Sequence, residues 1–386
     1  MRSFIEFPNL FSGLTIHADR IAFSIFGLDV YWYGIIITTA VVLGILYAIK
    51  SAKTVGLIPD NVFEMAFWGV LAGVAGARLY FVIFSGEKYD LITAIVGIRD
   101  GGLAIYGGII GSVIGASIVA KLSKIKFAPF ADLVGAGFLL GQGIGRWGNF
   151  FNQEAFGKAT ASNLPWGMTG DIINRSPAVM AEQSTLGSQG YALVHPCFLY
   201  ESLWCLLGFA LLYFYTRKLK SFDGEVFLLY VAWYGTGRAL IEPLRTDSLM
   251  LGNLKVSLLL AIASAVFALG VFVYFKFILS KKRIKDGKGA YVLYKDTEES
   301  KQRIDDHINK VKLDKEKEDA KSELKKINRE MNDPFADGVS DDGEKDTDDV
   351  LVEDVDDDND ETVPVDVNVA DNIDDDDNED GAFDDE

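Results

Sequence analysis

Seven apolar runs in the first 285 residues of this 386-residue chain constrain its fold more than any other feature. They lie near 30–49, 62–84, 102–120, 127–145, 198–216, 225–243 and 256–279, and roughly 20 such residues suffice to cross a hydrocarbon core of about 30 Å. The expected fold class is therefore all-α, a polytopic membrane helix bundle of about seven transmembrane helices. Residues 1–29 mix Glu6, Asp19 and Asp29 with short apolar pieces and lack a small-residue cleavage site after a basic start, so no cleavable signal peptide stands out. Insertion then rests on the spans themselves.

Composition changes where the spans stop. Residues 1–285 carry 24 Lys+Arg and 17 Asp+Glu, a net of +7, whereas residues 286–386 carry 13 and 38, a net of −25. The chain's overall charge of −18 belongs to its tail. Three regions are expected: a transmembrane catalytic domain over 1–285, a charged segment over 286–331, and an acidic tail over 332–386. In the middle region Ile304, Ile308 and Val311, then Leu324, Ile327 and Met331, recur at near-helical spacing and suggest a short helix. The Asp-rich tail cannot bury enough apolar surface to offset chain entropy and is expected to be disordered, its partner unknown.

Basic residues set the orientation. Lys50 and Lys53 follow the first span, Lys121, Lys124 and Lys126 the third, Arg217, Lys218 and Lys220 the fifth, and Lys281, Lys282, Arg283 and Lys285 the seventh. All fall on one side, which the positive-inside rule makes cytoplasmic, with the N-terminus outside and the C-terminus inside. The segment at about 146–197 then becomes an outer arm, and its Pro165, Trp166, glycines and asparagines suggest turns rather than another span. Cys197 and Cys205, eight residues apart on one helix, would stand about 12 Å from each other, too far to bridge.

Chemistry concentrates at the outer ends of the spans. The fourth closes on Gly141-Gln142-Gly143-Ile144-Gly145-Arg146-Trp147-Gly148-Asn149-Phe150-Phe151-Asn152-Gln153-Glu154. On a helix Gln142, Arg146, Asn149 and Gln153 share one stripe, while Gly137, Gly141 and Gly145 form a smooth ridge for close packing. The sixth closes on Arg238-Ala239-Leu240-Ile241-Glu242-Pro243-Leu244-Arg245, placing Arg238, Glu242 and Arg245 at i, i+4 and i+7. With Arg146 they make a net positive group suited to a phosphate. Any one arginine near a span end could instead be an interfacial anchor that snorkels; several on separate helices would each spend a costly residue.

Other motifs are less decided. Tyr31 and Trp32 fit an aromatic belt, and Tyr33 fits either a belt or a site. Gly107, Gly111 and Gly115 form a second ridge behind Tyr106. His195, before Pro196, reads as a loop residue or a site residue. Arg78, deep in the second span, should line a polar cavity or pair with Glu64 or Asp132. No pair of histidines or cysteines has metal-ligand spacing, and neither metal, cofactor nor nucleic acid is implied.

Gly145-Arg146-Trp147-Gly148-Asn149-Phe150-Phe151-Asn152-Gln153-Glu154-Ala155-Phe156-Gly157 resembles the central signature of the prolipoprotein diacylglyceryl transferase family. Supporting matches are Tyr31-Trp32-Tyr33-Gly34, Asp100-Gly101-Gly102, His195-Pro196 with Tyr200-Glu201, and Gly237-Arg238 with Glu242 and Arg245. The resemblance covers about residues 25–280. It implies a bacterial inner-membrane enzyme that transfers diacylglyceryl from phosphatidylglycerol to the lipobox cysteine of a preprolipoprotein, giving a thioether and glycerol 1-phosphate. By position it implies that Arg146 holds the phosphate and that Asn149, Glu154 and Gly157 shape the headgroup site. Tyr33 would line the pocket, Arg238 and Glu242 would frame the reacting centre, and Gly101, Gly107, His195 and Arg245 would complete the substrate contacts.

In one place the chain departs from the family. Many members carry a histidine, proposed as the base, where this sequence has Tyr106. A phenol of pKa about 10 is a poor base near neutrality, so Tyr106 is expected to hydrogen-bond and orient while the arginine field favours the thiolate. A transferase acting on a polyprenyl phosphate and an anion transporter would also want such arginines. The first lacks its acidic metal-binding pair here, and the second would show an inverted repeat.

Overall fold

The computed structural model describes residues 3–11, 13–86, 89, 102–160, 164–186, 193–246, 250–251 and 254–331. The expected disordered tail, 332–386, lies outside the described residues, as do Asp100 and Gly101.

The chain opens with four strands, β1 (Phe4–Phe7), β2 (Leu14–His17), β3 (Ile21–Ile25) and β4 (Leu28–Tyr31). Helices α1 (Trp32–Ser51), α2 (Pro59–Phe84), α3 (Ile105–Leu122) and α4 (Phe127–Asn152) follow. Between α4 and the next span come β5 (Ala159–Thr160), β6 (Thr169–Gly170), α5 (Asp171–Asn174), α6 (Pro177–Leu186) and β7 (Leu193–Val194). Then follow α7 (Cys197–Lys218), α8 (Glu225–Ile241), the short strands β8 (Met250–Leu251) and β9 (Leu254–Lys255), and α9 (Val256–Val273). A π-helical turn, Tyr274–Leu279, carries α9 into α10 (Ser280–Lys285), and α11 (Glu298–Met331) ends the described chain.

Each expected span is a helix. Six are long and apolar enough to cross a membrane among the described residues; α8, the expected sixth span, has 17 residues. Leu43, Phe67, Ile109 and Phe267 stand exposed along these helices, as a surface solvated by lipid rather than water allows. The protein is a polytopic helical membrane protein.

Small residues set the helix contacts. A Cβ on Gly137 would stand 3.2 Å from the Gly44 carbonyl oxygen, and one on Gly141 3.4 Å from that of Ala40, so the expected ridge seats α4 on α1. Gly107, Gly111 and Gly115 seat α3 on α2, where a Cβ would run into Gly76, Ala72 and Trp68. Trp204 of α7 and Trp233 of α8 stack at 4.5 Å and each donates its indole N–H to the other's carbonyl at 3.0 Å. Their rings lie against Gly237 and Gly208, positions that admit no side chain without displacing an indole.

The arm is more ordered than a run of turns. β1 pairs with β2 and with β6, so the N-terminal strands and the arm share a three-stranded sheet. Its apolar core joins Ile5 and Phe7 to Phe150 of α4, Phe156, Met168, Ile173, Val194 and Phe198 of α7. Gln153 sits at the junction and corrects the sequence reading. It ends α4 in the left-handed conformation (φ 50°) and leaves the polar stripe. Its buried side chain accepts from the Ile172 N–H at 2.9 Å and donates to the Phe4 carbonyl at 3.2 Å.

At the other end of the bundle the segment after α10 docks on the loops. Tyr294 is fully buried in a cluster with Ala48, Val55, Leu57, Met65, Ala120 and Leu133. Its N–H donates to Asp223 at 2.9 Å, Ser300 Oγ donates to the Gly56 carbonyl at 2.7 Å, and Arg303 donates to the carbonyls of Ser123 and Lys124 at 3.0 and 3.2 Å. Gly56, left-handed at φ 86°, lies so close to Lys295 and Ser300 that a Cβ would be 2.4 Å from the Lys295 Cα and 2.5 Å from Ser300 Oγ. The helix expected to be short runs instead for 34 residues as α11. By its contacts the chain divides into Met1–Lys321 and Ser322–Glu386, and of the second only the end of α11 is described.

Candidate functional site

Three arginines and two glutamates meet where α4, α7 and α8 approach the arm. Glu201, in the second turn of α7 and buried, is the hub. It is ion-paired through Oε2 with Arg146 of α4, and its Oε1 takes Arg238 Nη1 at 3.1 Å and Arg245 Nη1 at 2.6 Å. Arg238 Nη2 also lies 2.7 Å from Glu242 Oε2. Glu242 is fully buried, and its Oε1 accepts no hydrogen bond among the described residues.

Local packing fixes this geometry. Gly143 lets α7 approach α4, where a Cβ would stand 2.8 Å from Leu206, and Ser202 Oγ donates to the Gly143 carbonyl at 2.7 Å. One turn later on α4 and one residue earlier on α7 stand Arg146 and Glu201. Gly237 similarly admits the Trp204 ring and draws α8 against α7 beside Arg238.

Arg238 and Glu242 pair at i, i+4 as expected, but Arg245 does not continue the same helical face. α8 ends at Ile241, Glu242–Leu244 is a 3-10 turn with Pro243 inside it, and Arg245 is extended (φ −76°, ψ 146°). The chain turns Arg245 back onto Glu201, and Lys255 Nζ caps the Glu242 and Arg245 carbonyls at 2.9 and 3.4 Å.

The cluster holds three cations against two anions, so one positive charge is left over. The Arg146 and Arg238 side chains keep 20% and 18% of their surface exposed, so a ligand can reach them. Low-dielectric surroundings strengthen that surplus. A polar chain leads away from it: Arg146 Nη1 donates to Asn149 at 3.2 Å, and Asn149 Nδ2 donates to Glu154 at 2.9 Å, which also accepts from Asn152 at 3.2 Å.

Tyr33 packs on Gly148, whose Cβ would lie 2.9 Å from the ring, next in the chain to Asn149. Gly157 closes the arm against the cluster's edge. Its N–H donates to the His195 carbonyl at 2.9 Å, it bridges to Arg245, and a Cβ there would meet His195 at 2.7 Å and the Cys197 sulfur at 2.9 Å. His195 Nδ1 lies 3.2 Å from Tyr200 Oη, which accepts from Trp166 at 2.6 Å. Burial pushes the His195 pKa down, favouring the neutral ring.

Two expected members stand apart. Tyr106 and Gly107 belong to the α2–α3 pair. The Tyr106 ring lies 6.4 Å from Tyr80, and no hydrogen bond among the described residues joins it to the arginines. Gly101 lies outside the described residues. Arg78 is buried, donates to the Gly102 carbonyl at 3.1 Å and faces the rings of Phe81 and Tyr89. It pairs with neither expected carboxylate: Glu64 is 14 residues away on the same helix, about 21 Å, and Asp132 is taken by Lys220 at 2.9 Å.

Sequence reasoning missed Glu201 as a site residue. The available signal was a carboxylate just inside an apolar span, beside two arginine-bearing span ends.

The family model described as prolipoprotein diacylglyceryl transferase matches residues 20–274. A phosphatidylglycerol–prolipoprotein diacylglyceryl transferase of Finegoldia magna is 42% identical over 267 residues, covering 69% of this chain and 97% of the relative. Those of Clostridioides difficile and Thermotoga petrophila are 41% and 40% identical over 265 and 284 residues, 68% and 73% of this chain and 96% and 92% of theirs.

Proposed function

The chain belongs to the prolipoprotein diacylglyceryl transferase family and transfers diacylglyceryl from phosphatidylglycerol to prolipoprotein, and from that premise we propose which groups carry the reaction. The acceptor is the thiol of the lipobox cysteine. Its sulfur attacks the glyceryl carbon bonded to the phosphate oxygen, that carbon–oxygen bond breaks, and its electron pair leaves with glycerol 1-phosphate. A phosphodiester of one negative charge thus becomes a monoester carrying more.

The observation that supports this reading is the single carboxylate, Glu201, that gathers Arg146, Arg238 and Arg245 from separate elements. Held in place before substrate arrives, the arginines meet the growing phosphate charge without reorganising, which stabilises the transition state more than the ground state. Arg146 holds the phosphate, and Arg238, positioned by Glu242, faces the breaking bond. The same field favours the thiolate of a cysteine whose ordinary pKa is about 8.5. Asn149, Glu154 and Gly157 shape the headgroup site, and Tyr33, His195 and Arg245 border it. Tyr106, with Gly107 beside it, orients substrate from the α2–α3 side rather than acting as base, and Gly101 completes the substrate contacts.

The arm end faces outside, with the N-terminus outside and the C-terminus cytoplasmic, as the basic clusters at the opposite end support. Residues 1–285 form the catalytic domain, and 286–331 a cytoplasmic segment. The test is incubation of the purified protein with phosphatidylglycerol and a lipobox peptide. Glycerol phosphate release and a diacylglyceryl mass gain are expected together, and both should fall roughly 10²–10³-fold in Arg146→Ala. A folded wild-type protein that yields neither overturns the assignment.

A further inference from the structure

Residues 21–31 form a hairpin in which β3 pairs antiparallel with β4 and, among the described residues, with no other strand. Its register sorts the side chains. Ile25 lies opposite Leu28 and Phe23 opposite Val30, and by period-two alternation these pairs share one face. The Ser24–Asp29 pair occupies the other face, where Ser24 Oγ donates to Asp29 at 2.5 Å. At the turn Phe26 (φ 49°) and Gly27 (φ 78°) are both left-handed, the pattern of a type I′ turn, which favours asparagine or glycine. An aromatic ring is held at the tip against that preference.

Phe26 is fully exposed and Leu28 is 73% exposed, with Phe23 and Ile25 near half. A lone two-stranded hairpin is marginal in water, and a contiguous apolar patch marks a contact surface. What covers this one follows from continuity. β4 ends at Tyr31 and α1 begins at Trp32 with no linker, and α1 is long and apolar enough to cross the membrane. The hairpin therefore stands where α1 enters the bilayer. The Arg20 carbonyl accepts from the Trp32 N–H at 3.0 Å and closes the hairpin base, while Arg20 Nη2 donates to the Asn152 carbonyl at 3.0 Å and ties that base to the end of α4.

We propose that the β3–β4 hairpin is a lipid-interface anchor. Phe23, Ile25, Phe26 and Leu28 dip into the leaflet that α1 enters, and Ser24 and Asp29 face the headgroups. Through Arg20 the anchor fixes the depth of the α4 end that carries Arg146 and Asn149. The anchor stands without the assigned reaction; only its effect on headgroup depth rests on that reading.

The test uses the full chain with Phe26→Cys labelled by bimane in vesicles of phosphatidylglycerol and phosphatidylcholine. Arg175→Cys, on the exposed surface of the arm, is the reference, and Cys197 and Cys205 are buried. At residue 26 the emission should shift to the blue and be quenched more by lipid-borne nitroxide than by aqueous iodide, with the reverse at 175. Iodide reaching both sites equally overturns the proposal. So does shielding of residue 26 that appears only on adding a prolipoprotein peptide or on crowding the vesicles with protein, which would assign the face to substrate or to a second copy. Neither outcome depends on turnover, so failure of the anchor and failure of the transferase reading are separable.

Discussion

Both ends of the bundle bury clusters of opposite charge, and they differ in what the charges have left to give. Opposite the arm, Asp132 accepts from the N–H groups of Gly224 and Phe227 at 2.8 and 3.0 Å as well as pairing with Lys220. Glu225 takes the Tyr215 hydroxyl and Lys276 at 2.5 Å each, and the Ser221 and Phe222 N–H groups besides. Carboxylates there stitch backbone to backbone. At the arm end the same currency is spent differently: Glu201 pairs with three arginines and, among the described residues, with no backbone N–H, and the Arg146 and Arg238 side chains stay partly exposed. A buried ion cluster works as a staple when its donors are used up. It becomes a site when a charge and several donors remain.

Breaking the staple should have the largest effect, and on stability. Asp132→Ala leaves Lys220 buried beside Asp223 without its fully buried partner, and removing one member of a buried pair costs about 3–5 kcal/mol. Chemical denaturation in detergent should show that loss, while transfer per folded molecule stays near wild type. If turnover fell and stability held, the division between the two ends would be wrong. Arg146→Ala should do the converse. Losing one preplaced donor to a developing anion costs roughly 10²–10³-fold in rate, measured as glycerol phosphate release, with a smaller change in unfolding because Arg238 and Arg245 still neutralise Glu201.

The fold was legible in the sequence because lipid imposes a long apolar period that few other structures need. Every expected span is a helix, and both glycine ridges meet the neighbours that close packing requires. The arginines were legible for the same reason, since charge near a membrane is conspicuous. Glu201 was hidden because its importance is convergence: nothing local to α7 says that Arg146, Arg238 and Arg245 arrive at one carboxylate. Gln153 was misread because a single left-handed residue moves its side chain off the helical stripe, and Arg245 because Pro243 ends the helix that its spacing assumed. The long α11 carries few apolar residues, so its sequence pattern gave little sign of its length.

Tyr106 belongs to neither cluster. It lies on the α2–α3 pair, half exposed, with no hydrogen bond to the arginine cluster among the described residues. If its hydroxyl meets substrate, Tyr106→Phe loses one hydrogen bond of about 0.5–1.5 kcal/mol, a few-fold drop in kcat/KM. A drop on the scale of Arg146→Ala would make it the base instead; none at all would remove it from the site.

The smallest expected effect separates the two ends by pH. Burial holds the His195 imidazole below its ordinary value of 6.5, so the unfolded chain takes up a proton before the folded arm does. Stability from that group is fully present above about pH 6.5 and declines as pH falls through the lower folded value. Lys220 behaves oppositely. Burial alone would lower its pKa, but Asp132 and Asp223 outweigh burial and raise it above 10.5, so its contribution is present at neutral pH and lost as pH rises through the folded value. Unfolding measured across pH should therefore weaken the arm end on the acid side and the opposite end on the alkaline side. His195→Gln should flatten the acid limb and leave the alkaline limb unchanged; an acid limb that survives the substitution would mean that another group at the arm end takes up the proton.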